Sequence, residues 1–373
     1  MEEVPSAARR TPPGPGGADR TPGADAIPGT GEPLPLLRVL GPDGGTMRPI
    51  SGEPAARREL FVAMLRARLV EERLRRLSRE AWIGFVPTTF GEEAALVASV
   101  DALGDDAWIF PSPRDRGALL ARGIGFEPLA DQLFGNADDP QKGRQMPGVL
   151  GSRGHRIACP SAPGGTQLTH ATGFAWAGKL KGAEGPVGAL FGPGEATSSD
   201  FHTALNFAAV HRVPVVFVGR SVPGAEGGDG GGLARRGIAY GVSALRADGG
   251  DALAVQQVVG EAGERARAGH GPTLVELVVE RLGDAALDGP ADPLTRLRVH
   301  LGREGLLDDA QERELREGIK AELQSALESA AQKAAPPLAS LFDDVQADRP
   351  NHLREQLAGL EAQGEDGRGR GRG

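Results

Sequence analysis

Apolar residues recur three and four positions apart from Phe61 onward: Phe61, Leu65 and Leu69, then Val70, Leu74 and Leu77. That spacing traces one face of an α-helix and predicts a helix from about Pro54 to Arg79. Six Arg between Arg66 and Arg79 fall among these positions and are assigned to its solvated or partner-facing side. Further along, the apolar runs are continuous rather than periodic. Val187–Phe191 ends in Gly192-Pro193-Gly194, residues 213–218 (VPVVFV) are bounded by Gly219, and residues 273–279 (TLVELVV) form a third run. Residues 200–211 lie between the first two, with Phe201, Leu205 and Ala208 on one helical face. Continuous apolar strands separated by helices predict an α/β fold with a doubly wound parallel sheet, covered on both faces. Ligands in such sheets bind beyond the carboxyl ends of the strands, which puts residues 192–195 and 219–222 at the mouth of the expected site.

The C-terminal part reads as helical. Asp308 with Gln311 is a capping-box start, and Pro336-Pro337 is expected to end that helix. Residues 338–360 carry a short apolar cluster and a last helix. Four segments are expected: a Pro/Gly-rich unstructured stretch over 1–45, an α/β domain over 46–292, a helical arm over 293–363, and an unstructured tail over 364–373.

Composition narrows the class. Gly (56) and Pro (29) are well above their combined average of roughly 12%, consistent with long loops and unstructured ends. A net charge of −8 without a basic block argues against nucleic-acid binding. The single cysteine, Cys159, excludes an intrachain disulfide framework. No apolar run approaches the roughly 18 residues of a membrane span. The start Met1-Glu2-Glu3-Val4 lacks the pattern of a signal peptide, so a soluble cytoplasmic protein is expected.

Taken alone, the local motifs are weak. Gly192-Pro193-Gly194 lies where a phosphate loop would sit, but no Lys follows as a Walker loop requires, and Thr197 stands where a dinucleotide fingerprint needs Gly. Gly219-Arg220-Ser221-Val222-Pro223 nearly matches a nucleophile elbow, with Pro223 in place of the last Gly. A strand ending in a turn is the plainer reading. The seven His form no H-x-x-x-H pair, and His202 is assigned to capping or pairing near Asp200.

In order, the longer stretches resemble one family. They are Phe90-Gly91-Glu92-Glu93-Ala94, Phe110-Pro111-Ser112-Pro113-Arg114-Asp115, Leu133-Phe134-Gly135-Asn136, residues 142–147 (KGRQMP), 161–167 (SAPGGTQ), 200–218 (DFHTALNFAAVHRVPVVFV), 236–251 (RGIAYGVSALRADGGD), 292–301 and 341–345. Over residues 37–360 the chain resembles the alpha subunit of the thiamine-diphosphate-dependent decarboxylating component of 2-oxo acid dehydrogenase complexes, branched-chain (2-oxoisovalerate) type. The resemblance implies oxidative decarboxylation of a 2-oxo acid, with acyl transfer to a lipoyl-lysine. It also implies thiamine diphosphate and magnesium as cofactors, a beta subunit in an alpha2-beta2 heterotetramer, and a lipoyl acyltransferase core as a further partner. The chemistry is the cofactor's; the protein orients and tunes it.

Residue by residue, the resemblance is uneven. Arg114 and Arg220 match diphosphate-binding Arg of the family; they could equally pair with Asp115 or Asp200. Gly192 and Gly194 match the glycines of its phosphate loop. Between them the family has an acidic magnesium ligand, and this chain has Pro193. A second ligand, an Asn, is replaced by Val222; a backbone ligand falls at Gly224. Magnesium takes oxygen ligands, which neither side chain supplies. Glu195 is expected to be solvated or to pair with a helix dipole, with a displaced magnesium ligand as the less favoured alternative. Ala162 and Gly164 replace a Ser and an aliphatic residue beside the cofactor. Ser161, Pro163, Thr166 and Gln167 match positions that hold potassium, although the loop could keep its shape without an ion. Asp284 and Ala285 replace two His of the family, of which the second, at Ala285, works at the active site, in a shortened loop after Arg281-Leu282-Gly283, so no catalytic residue is assigned. The expectation is a family member that keeps the fold and partner surface without the magnesium site, and acts as a structural or regulatory partner. The alternatives are a working subunit with substitute ligands, and a binder of another phosphorylated ligand.

Overall fold

The computed structural model describes residues 34–367, apart from 51, 85, 184, 224–231, 284–285 and 344. The expectations for residues 1–33, 368–373, Gly224 and Ala285 lie outside the described residues.

Five strands form one parallel sheet: β1 (Trp108–Phe110), β2 (Val187–Phe191), β3 (Val215–Ser221), β4 (Ser243–Asp248) and β5 (Thr273–Val278), in the spatial order β1-β2-β3-β5-β4. Side chains alternate between its faces, as strand geometry requires. Val187, Ala189, Phe191, Val215, Phe217 and Leu274 enter one core, while Leu190, Val216, Val218, Val275 and Leu277 enter the other. Both faces are therefore covered, and the expected α/β architecture with a doubly wound parallel sheet is the one observed. Each large side chain buried in these cores contributes roughly 1.5–3 kcal/mol.

The helices divide between the two cores. Helix α1 (Pro54–Arg79) has the expected bounds; Pro at its first turn costs no hydrogen bond there. It packs with α2 (Glu93–Leu103) and α3 (Arg116–Ala121), and α4 (Phe126–Phe134) follows. Helices α5 (Thr166–Leu180) and α6 (Ser199–His211) pair over the opposite face. Next come α7 (Gly232–Ala239) and α8 (Ala252–Arg267), and α8 packs on α2. Helices α9 (Pro293–Arg303), α10 (Asp309–Gln332) and α11 (Asn351–Gly367) close the chain.

Several sequence expectations are corrected. The segment from Leu34 is not unstructured up to residue 45. Leu34, Val39 and Leu40 are buried, and Leu37 bridges Ala247 at the edge of β4. The amides of Val39 and Leu40 both donate to Asp251 Oδ2 at 2.6 Å. The short stretch is held because the sheet edge and the α8 cap supply its backbone partners. The arm beginning at Pro293 is not separate from the α/β core, since Leu294, Leu297, Leu301, Leu323 and Leu327 share the core of α1 and α2. The capping box of Asp308 and Gln311 forms, but α10 ends at Gln332, before the two prolines. Helix α11 runs to Gly367, past the expected boundary at 363. Strand β3 continues through Gly219-Arg220-Ser221 rather than turning at Gly219.

The six Arg between Arg66 and Arg79 are not uniformly solvated. Arg68 is only 2% exposed. It donates to Glu93 Oε1 at 2.6 Å and makes a two-pronged contact with Asp292 at 2.9 and 3.0 Å. This buried triad joins α1 and α2 to the start of α9. Burial works against Asp292 ionising, but hydrogen bonds and charge from Arg68 hold its carboxyl below the usual carboxylate range.

Candidate functional site

Strand β2 ends at Phe191, opposite Gly219, and β3 runs on to Ser221. Beyond β2 the chain turns through Gly192-Pro193-Gly194 and a single 3-10 turn, Glu195–Thr197, before α6. Ser198 caps α6 by accepting from the Phe201 amide at 3.2 Å. The loop before α5 lies against this cap. Gly165 has φ +98°, and a Cβ there would collide with Ser198 Oγ, so glycine permits the approach. A second glycine brings in a third segment. Gly91 has φ +89°, and a Cβ there would strike the carbonyl of Glu280. Because none is present, the stretch before α2 crosses the end of β5, and the Leu282 amide donates to Phe90 O at 3.0 Å. Glu92 is thereby delivered to the end of β3.

These segments enclose a pocket of about 260 Å³ at the carboxyl ends of the strands. Of the residues singled out in the sequence, Arg114, Gly164, Gly192, Pro193, Gly194, Glu195 and Arg220 line it together. Ser161, Ala162, Pro163, Thr166 and Gln167 do not. Val222 packs against the main core instead. Thr166 Oγ1 donates to Pro163 O at 2.7 Å, Gln167 Oε1 accepts from the Gly165 amide at 3.0 Å, and Gln167 Nε2 donates to Leu190 O at 3.2 Å. The matched potassium positions are thus linked to their own loop and to β2.

Three lining or flanking carboxylates meet three Arg here. Arg220 is 3% exposed; its Nη2 donates to Asp115 Oδ1 at 2.6 Å, and its Nε lies 2.8 Å from Glu92 Oε2. The Nε pair is an ionic contact whose N–H is not aimed as a hydrogen bond, and Nη1 has no hydrogen-bond partner among the described residues. Glu92 also meets Arg281 at 3.2 Å and Arg114 at 3.9 Å. Arg114 Nη2 donates to Thr88 O at 3.0 Å. Of the two acids offered as partners for these Arg, Asp115 is the one engaged by Arg220. Burial pushes the Asp115 carboxyl up, against the opposing charge of Arg220. Burial alone would lower Arg220, but Asp115, Glu92 and Glu195 hold its guanidinium above its ordinary value.

Of the two roles expected for Glu195, solvation is not the one observed. It is half-buried, and its Oε2 accepts from the Gly192 amide at 2.9 Å. Ser221 is the last residue of β3 rather than a nucleophile on a strained turn, and its hydroxyl donates to Glu276 Oε1 at 2.8 Å. His202 pairs with the Tyr240 hydroxyl at 2.7 Å. Glu92 and Arg281 are members of the site that the sequence did not single out; the only signal was their place in Phe90–Ala94 and just past the third apolar run. Among the described residues no three His, Cys, Asp or Glu converge as a metal-holding group.

Comparison with known proteins decides the family. The model of the dehydrogenase E1 component matches residues 62–288. The chain belongs to the dehydrogenase E1 component family. It is 34% identical over 376 residues to the 2-oxoisovalerate dehydrogenase subunit alpha of Pseudomonas aeruginosa, covering 92% of this chain and 91% of that protein. It is 33% identical over 353 residues to the mitochondrial 2-oxoisovalerate dehydrogenase subunit alpha of Bos taurus, covering 88% of this chain and 77% of that protein. The matched region of this E1-family chain takes in α2, the whole sheet and the pocket-lining Arg114, Arg220 and Arg281.

Proposed function

We propose that this chain is a non-catalytic alpha-type subunit that pairs with the beta subunit of a branched-chain 2-oxo acid dehydrogenase and serves a structural or regulatory role. The observation that carries the reading is Pro193. It sits in the pocket between Gly192 and Gly194, where the family places an acidic magnesium ligand. Proline offers no side-chain oxygen and no backbone N–H. Val222, at the second ligand position, is partly buried and packs against the core. Glu195 is the nearest substitute acid, but its carboxylate is engaged by the Gly192 amide. The residues present do not fit a magnesium-bound diphosphate, and no reaction step is derived through one. The retained fold and the similarity to alpha subunits support the partner role; fold alone does not carry the activity. One observation favours a second reading, a binder of another phosphorylated ligand: the buried Arg220 keeps Nη1 without a hydrogen-bond partner among the described residues, beside Arg114 and Arg281.

Co-expression with a beta subunit tests the role. A stable heteromeric assembly by sedimentation, with no carbon dioxide released from 2-oxoisovalerate above the beta-only control, is the expected result. Turnover of about 1 s⁻¹ or more would place the chain among ordinary enzymes and overturn the reading.

A further inference from the structure

The pocket holds a charge of its own. Glu195 follows the Gly-Pro-Gly turn at once, and the turn folds its carboxylate back over Gly192, where Oε2 takes the backbone N–H at 2.9 Å. A Cβ built on Gly192 would stand 3.2 Å from that oxygen and 3.8 Å from Arg220 Nη2, so carboxylate and guanidinium face the same glycine. A Cβ on Gly164 would lie 3.3 Å from Glu195 Cγ, so the opposite loop closes over the same side chain. The other charged residues of the lining are Arg114, Arg220 and Arg281, which share Glu92 behind them. Arg220 is nine-tenths buried or more and keeps an N–H that has no hydrogen-bond partner among the described residues.

We propose that the Glu195 carboxylate is a built-in occupant of this pocket, holding the position of a phosphate-class anion and excluding one until it is displaced. The inference deepens the reading of a pocket without a magnesium site and rests on it. Two physical effects make Glu195 an effective occupant. It takes the backbone N–H that would otherwise be offered to an anion, and it places a like charge where an incoming phosphate oxygen would sit. The three Arg, by contrast, are the donors a phosphate group needs, and they need no metal to act. Glu195 therefore works as a gate on an anion site, and loss of its charge opens that site.

The test uses the full chain, inorganic phosphate as the probe, and a chelator to remove divalent ions. Titration calorimetry is run on the unchanged chain, on Glu195→Gln, and on Glu195→Ala, which frees the Gly192 amide as well. Both variants are expected to bind phosphate at least about tenfold more tightly than the unchanged chain, because a like charge has been removed. Arg281→Gln, placed in the Glu195→Gln background, is expected to reverse that gain. Arg281 is half-exposed, so this change is compatible with folding. Equal phosphate affinity in all three chains would overturn the proposal, as would weaker binding by the variants. The chelator keeps this test apart from the proposed role: magnesium-dependent thiamine diphosphate binding by the unchanged chain would defeat that role, whereas the gate is judged on metal-free phosphate alone.

Discussion

Arg220 Nη2 donates to Asp115 Oδ1 at 2.6 Å, tying the end of β3 to the turn that starts α3, with both groups buried. Removing Arg220 strands the buried Asp115 carboxylate, and removing Asp115 leaves the buried Arg220 with Glu92 as its close ionic partner. Asp115→Leu and Arg220→Met are each expected to lose about 3–5 kcal/mol of stability. The double variant is expected to lose less than the sum, because the unpaired charge disappears. Urea unfolding of the four chains in the cycle measures this. Simple additivity would show that the pair is not coupled.

The triad around Arg68 offers a second case. Arg68→Met keeps the bulk of the side chain but strands Glu93 and Asp292 inside the protein. A loss of about 3–5 kcal/mol is expected, far above the fraction of a kcal/mol typical of a solvated helix arginine. A change under about 0.5 kcal/mol would return Arg68 to the surface role its sequence context suggests.

Asp292 gives this triad a pH signature. Its folded carboxyl lies below the ordinary value, so its stabilisation is complete above the unfolded value and disappears as pH falls through the lower folded one. Glu93, pushed up by burial against the charge of Arg68, shifts the other way, so the useful quantity is a difference. The stability gap between the unchanged chain and Asp292→Asn is expected to be widest near neutrality and to narrow below pH about 4. Unfolding midpoints measured from neutral to acid pH check this; a gap that widens in acid would contradict it.

Restoring oxygen at the two altered positions should restore metal affinity. Pro193→Glu combined with Val222→Asn is expected to raise magnesium-dependent thiamine diphosphate binding at least about tenfold over the unchanged chain. Equilibrium dialysis with and without magnesium reads the outcome. No gain would locate the obstacle elsewhere in the pocket.

The readable parts of the fold were those whose burial leaves a local mark. Strands β2, β3 and β5 are buried on both faces and so appear as continuous apolar runs. Helix α1 shows its periodicity over 26 residues. Strand β4, SALRAD, is only partly buried and carries Arg246, and β1 is three residues long, so neither gives a run that stands out. In the site, Gly192, Gly194 and Arg220 were legible because they stand at strand ends. Asp115 was legible only as one of two candidate partners for the Arg, and Glu92 was not legible, since its close partners Arg220 and Arg281 lie more than a hundred residues away and sequence neighbours hold no trace of such pairs. Arg68 was misplaced for the same reason: a basic residue on a helix reads as solvated until Asp292, far along the chain, comes to meet it. Glu195 was misplaced because its partner is the backbone of Gly192, which no side-chain pattern announces.

The most direct measurement is calorimetry of thiamine diphosphate binding, with and without magnesium, on this chain co-purified with a beta subunit. The account expects a stable assembly and no magnesium-dependent heat of binding, as Pro193 and Val222 supply no ligand oxygen. Micromolar binding that requires magnesium would contradict it, and would make the chain a cofactor-loaded member of the dehydrogenase E1 component family.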